Sequence, residues 1–137
     1  MIGIVIVAHG GLAHEFLATV EHVVGKQMAV ATIAIAPEDD RPLKAREIRA
    51  AADGVDQGEG VIVVTDMFGG SPSNLSLPAC GMANRRILYG ANMPLLIKLF
   101  KSRHKPVDDA VRVALEAGRK YIDSQIICAE DVRNWGT

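Results

Sequence analysis

Ile2 to Ala8 reads IGIVIVA, and His9-Gly10-Gly11 follows it directly. A run of β-branched and aliphatic residues without polar alternation is a strand buried on both faces. Such strands belong to parallel sheets that helices cover on each side, so a crossover helix has to follow. The pattern after the glycines supplies one. Leu12, Phe16, Val20 and Val23 recur every three or four residues as one helical face, and Gly25 is a natural stop.

The same alternation continues along the chain. Ala29–Ile35 (AVATIAI) is a second strand, and Pro37–Asp40 is a polar loop before a helix from about Pro42 to Ala52. Gly54–Gly60 is a turn-rich connector to a third buried strand, Gly60–Asp66 (GVIVVTD), which Phe68-Gly69-Gly70 ends. A helix is predicted over Ser71–Met82, a fourth strand over Arg86–Asn92 and a short helix over Met93–Phe100. A longer helix over Pro106–Ile122 precedes a last short strand, Gln125–Ala129 (QIICA). Strands alternating with helices predict a doubly wound α/β fold. No repeat, low-complexity tract or linker divides residues 1–137, so one domain is expected.

Totals limit the function. In 137 residues, hydrophobic residues make up 49% and charged residues 23%, enough for a real core. The formal net charge of -1 gives no electrostatic case for nucleic acid or an acidic membrane surface. Partners must be found through a local site. Cys80 and Cys128 form no CxxC, and reduced, buried thiols are expected. No signal peptide is visible and no apolar stretch approaches the ~20 residues of a membrane span, so a cytoplasmic protein is expected, without membrane insertion.

In open α/β sheets, ligands bind beyond the carboxyl ends of the strands. Two strands here end in polar residues followed by paired glycines: His9-Gly10-Gly11 after the first, and Asp66-Met67-Phe68-Gly69-Gly70-Ser71-Pro72 after the third. Were these strands neighbours, His9 and Asp66 would meet at one rim. A histidine nitrogen is a competent nucleophile near neutral pH and forms a labile phosphoramidate. A carboxylate on the other ring nitrogen fixes the tautomer and offsets positive charge on the ring. Glycines let backbone N–H groups approach a phosphoryl oxygen. Ser71-Pro72 looks like the start of a helix whose free N–H groups favour an anion. Pattern alone does not separate phosphotransfer from metal binding or hydrolysis.

At these residues the sequence resembles the enzyme IIA component of the mannose family of the bacterial phosphoenolpyruvate-dependent sugar phosphotransferase system. The matching stretches are IVIVAHGGLA (Ile4–Ala13), VIVVTDMFGGSPSN (Val61–Asn74) and YGANMPLLIKL (Tyr89–Leu99), in the family's order and spacing. The resemblance implies that His9 accepts phosphate on Nε2 from the phosphocarrier HPr and passes it to a IIB partner, with Asp66 bonded to Nδ1. It implies phosphate binding by Ser71 and nearby backbone amides, the candidates being Gly10, Gly69 and Gly70, and it requires no cofactor or metal. It also implies a three-layer doubly wound sandwich with a mainly parallel central sheet and a short C-terminal edge strand. In the family that strand is exchanged within a homodimer, and Gln125–Ala129 is the candidate here.

One departure matters. Transport relatives often continue through a linker into a IIB domain, whereas this chain stops at Thr137, so the IIB partner is expected to be separate. The alternative is a stand-alone regulatory IIA protein, in which phosphorylation of His9 controls partner binding by changing surface charge. A nucleotide- or metal-dependent enzyme is a third option. It is weaker, because strand one is followed by HGGLAH rather than G-x-G-x-x-G and no acidic residue closes strand two.

Other features read as structure. His14 and His22 lie eight residues apart on one helix, a poor metal spacing, and read as solvated. His104 lies in the basic loop Lys101–Lys105, read as solvated surface, and Glu38–Arg49 as a loop and an exposed helix face. Asn92-Met93-Pro94 either shapes the pocket rim or serves as turn chemistry. Arg133–Thr137 has no clear role, with Trp135 packing locally or at a dimer edge.

Overall fold

Strand β1 (Gly3–His9) is buried at every position but its last. Its alternation has two sides, and each side has its own core. Ile4, Ile6 and Ala8 join Ile62 and Val64 of β3 (Val61–Thr65) in one apolar cluster. Val5 and Val7 join Val61 and Val63 in the other. Burying one such side chain contributes about 1.5–3 kcal/mol, so both faces drive the central strands inward. The computed structural model describes residues 1–82 and 84–133, apart from the side chains of 131 and 132. Trp135 lies outside the described residues.

The sheet has the order β2-β1-β3-β4, and each pairing is parallel. Strand β2 spans Val30–Ile35 and β4 spans Arg85–Leu88. Helices α1 (Leu12–Val24), α4 (Met93–Lys101) and α5 (Val107–Lys120) cover the face bearing Ile4 and Ile6. Helix α2 (Arg41–Val55) and the short α3 (Ser71–Ser76) cover the other, through Ile48, Ala52, Val55 and Leu75. The expected three-layer doubly wound sandwich is the observed one.

Several boundaries moved for local reasons. The helix expected over Ser71–Met82 stops as an α-helix at Ser76 and tightens into a 3-10 turn over Leu77–Cys80. Pro78 has no N–H and its ring crowds the carbonyl four residues back, so the α pattern cannot continue. The buried face of α1 is Ala13, Phe16, Leu17, Val20 and Val24, while Leu12 and Val23 are exposed. Helix α2 begins earlier than expected because Asp40 caps it, accepting from the Leu43 N–H at 3.0 Å.

The C-terminal edge strand is not seen. Gln125–Cys128 has no regular structure, and Ala129 opens a short helix, α6 (Ala129–Arg133). A strand gains its ladder bonds only from a neighbour, and within one chain this segment pairs with neither sheet edge. It leaves Tyr121, Ile122, Ile126 and Ile127 exposed.

The basic loop also differs from expectation. His104 is exposed, but Arg103 is buried: its guanidinium donates to the carbonyls of Ile2 (2.9 Å) and Ala29 (2.7 Å) and to Gln27 Oε1 (3.2 Å). It ties the entries of β1 and β2 together. His14 and His22 are exposed on α1, as read from the sequence. Among the described residues, no helix is long and apolar enough to cross a membrane.

Candidate functional site

The sheet turns both ways from β1, to β2 on one side and β3 on the other, which makes the β1/β3 boundary its topological switch point. Val7 is level with Thr65 in the register. His9, two residues on, and Asp66, one residue on, therefore leave the sheet at the same rim. Gly10 turns the chain away with φ +55.

The two side chains meet. His9 Nδ1 lies 2.8 Å from Asp66 Oδ2, and the backbone N–H of His9 donates to the same oxygen at 3.0 Å. Burial alone would push the Asp66 carboxyl up, but the bonds from His9 outweigh it and hold the group below its ordinary value. An ionised carboxylate only accepts, so Nδ1 carries the proton and a neutral ring keeps its lone pair on Nε2. The His9 side chain is 49% exposed and that of Asp66 11%, so the nucleophile faces solvent while its partner is sheltered. Asp66 Oδ1 is buried without a hydrogen-bond partner among the described residues.

Nε2 faces the turn before α3. A methyl group at Gly70 would lie 3.2 Å from Cε1 and 3.6 Å from Nε2, so Gly70 is the residue against the reactive edge of the ring. The N–H groups of Gly70 and Ser71 have no partner among the described residues. Two other candidates are committed elsewhere: Gly10 donates to the Ile35 carbonyl at 3.0 Å, and Gly69 donates to Ser73 Oγ at 3.0 Å. These two shape the turns, while Gly70 and Ser71 stand beside the ring. Asn92 is turn chemistry, since its side chain caps α4 by accepting from the Leu95 N–H at 2.9 Å.

Around the ring lie groups the sequence did not single out. His9, Ser71, Arg41 and Asp39 line one cavity of 280 Å³, with Ile35, Ala36, Pro37 and Leu75 as its apolar walls. Arg41 Nη1 donates to Ser71 Oγ at 3.1 Å. Arg41 looked like part of an exposed helix face; only the cap at Asp40, a recognisable helix-start signal, could have placed it at the rim. In the turn after Asp66, Phe68 is 76% exposed and meets the Tyr89 ring edge-on, with centroids 4.9 Å apart.

The chain is thus a parallel α/β protein whose switch point presents a carboxylate-held histidine, beside a turn whose Gly70 and Ser71 N–H groups have no partner among the described residues. The chain belongs to the mannose/fructose-type IIA components of the phosphotransferase system: the model of the family described as "PTS system fructose IIA component" matches residues 3–115. IIA components are phosphotransferases that act through a phosphohistidine intermediate. The chain is 30% identical over 124 residues to the PTS system mannose-specific EIIAB component of Escherichia coli, covering 88% of this chain and 38% of that protein. The chain thus spans well under half the length of that relative.

Solved structures agree. The phosphotransferase system component EIIA from Streptococcus agalactiae superposes with a TM-score of 0.76 at 27% identity, covering 90% of this chain and 97% of that one. The PTS IIA protein associated with the fucose utilization operon of Streptococcus pneumoniae gives 0.73 at 27% identity, covering 96% of each. The mannose/sorbose-specific IIA subunit from Enterococcus faecalis gives 0.82 at 22% identity, covering 93% and 96%, a likeness of fold.

Proposed function

We propose that His9 accepts a phosphoryl group from HPr on Nε2 and passes it to a IIB component during sugar uptake, in the cytoplasm and as a homodimer. The observation that carries this is the bond between His9 Nδ1 and Asp66 Oδ2 at 2.8 Å, which leaves Nε2 as the free nucleophile. In the forward step the Nε2–P bond forms as the donor's bond to phosphorus breaks. No proton needs to leave Nδ1, so the ring gains positive charge and Asp66 offsets it. The unbonded N–H groups of Gly70 and Ser71 and the Ser71 hydroxyl are the proposed phosphoryl ligands. Transfer to IIB is the reverse of this step onto a new acceptor, and a labile P–N bond suits it.

The family membership supports HPr and IIB as partners, and the exposed Tyr121, Ile122, Ile126 and Ile127 support a subunit contact. The test supplies labelled phosphoenolpyruvate, enzyme I and HPr. The wild-type chain is expected to take up label that acid removes and base does not, and His9→Ala to take up none. Equal labelling of His9→Ala would remove His9 as the nucleophile.

A further inference from the structure

Phosphorylation as proposed sets a dianion beside the carboxylate of Asp66. Two unbonded N–H groups and one hydroxyl do not balance that charge, so a cation in reach of the site would matter. Arg41 is the cation that the fold brings there. It shares the 280 Å³ cavity with His9 and Ser71, and its guanidinium holds Ser71 Oγ at 3.1 Å.

Three details argue that Arg41 is placed for an anion. First, its acidic neighbours bond to other groups, Asp39 doing so although it lines the same cavity. Asp40 caps α2 through Leu43, while Asp39 accepts from the Ala36 N–H at 2.7 Å and lies 3.8 Å from Lys44 Nζ. Among the described residues, Arg41 forms no ion pair with a carboxylate. Second, Ser71 Oγ accepts from Arg41 through a lone pair, so its own hydrogen stays available to donate, and the two donors polarise each other. Third, Arg41 is the first residue of α2, a helix anchored in the core by Ile48, Ala52 and Val55, so its backbone is fixed while its side chain reaches the rim.

We propose that Arg41 binds the phosphoryl group on His9, working with Ser71, and thereby sets how much phosphate the protein retains at equilibrium with its donor. The planar fork suits two phosphoryl oxygens at once. The inference rests on phosphotransfer through His9 and assigns the charge balance of that step to a residue from the opposite side of the cavity.

The test measures the equilibrium between phosphorylated HPr and the full chain, in both directions, for the wild type, Arg41→Met and Arg41→Lys. Arg41→Met is expected to lower the equilibrium fraction ratio by about tenfold and to speed hydrolysis of the phosphorylated form, with Arg41→Lys recovering part of the loss. A residue that only docks the donor changes forward and reverse rates together. An unchanged equilibrium constant in Arg41→Met, whether or not the rates fall, overturns the proposal. A wild-type chain that takes no label on His9 overturns phosphotransfer itself, a result separate from any difference between variants.

Discussion

One oxygen of Asp66 holds His9 twice: Oδ2 accepts from the backbone N–H at 3.0 Å and from Nδ1 at 2.8 Å. The ring is thereby tied to the strand end that carries it, and both its position and its tautomer follow from a single carboxylate. Asp66→Asn keeps the shape and removes the charge. Transfer should slow by about tenfold or more, from the loss of charge assistance, while the fold stays intact. Quench-flow labelling from phosphorylated HPr checks this.

The same carboxylate gives an acid limb to stability. Its folded value lies below the ordinary 3.8, so its contribution is fully present above 3.8 and is lost as pH falls through the folded value. Asp56 acts in the same direction, held down by the Gly58 N–H and by Arg85. Urea denaturation of wild type and Asp66→Asn across this range should show the two curves converging as pH falls. A constant gap would mean that the His9 bonds do not set the Asp66 ionisation.

Gly70→Ala separates ring position from fold. Gly70 has φ -85 and ψ 175, a conformation open to alanine, so the backbone is not strained. The new methyl would sit 3.2 Å from His9 Cε1, closer than ordinary contact, and would push the ring or the turn by a few tenths of an ångström. Thermal stability should barely change while phosphotransfer falls. Melting and labelling of the same sample decide it.

How far the sequence could be read depended on where each partner lies. The strands themselves were legible as β-branched runs with their own stop signals, and His9 and Asp66 because each sits at such a stop, but the order that makes them neighbours comes from the fold. Gly10 and Gly69 looked equal to Gly70 in sequence, yet their N–H groups go to Ile35 and to Ser73, and only the fold shows this. Arg41 was hidden because its contact with Ser71 spans 30 residues. Arg103 looked like solvated loop because its carbonyl partners at Ile2 and Ala29 lie 101 and 74 residues away. The edge strand failed for another reason: Gln125–Ala129 is apolar enough for a strand, but ladder bonds need a neighbour, and the segment pairs with neither sheet edge.

Arg103→Met should be among the costly substitutions. It leaves the carbonyls of Ile2 and Ala29 without the guanidinium that now bonds both, inside a shell where Arg103 is 4% exposed. A loss of about 2–4 kcal/mol in unfolding free energy is expected, with no direct effect on the His9 rim. Urea unfolding measures the loss, and labelling of the remaining folded protein measures the rim.

The subunit contact is tested at Ile126, which is fully exposed in the single chain. Sedimentation should find a dimer for the wild type and a monomer for Ile126→Asp. A wild type that sediments as a monomer at high concentration would remove the homodimer from the account.

The most direct test of the central claim is the position of the phosphoryl group on the ring. Phosphorus NMR of the phosphorylated chain distinguishes Nε2- from Nδ1-phosphohistidine. With Nδ1 bound to Asp66 Oδ2 at 2.8 Å, the signal should be that of the Nε2 isomer and should vanish in His9→Ala. An Nδ1 signal, or an Nε2 signal that survives in His9→Ala, would contradict it.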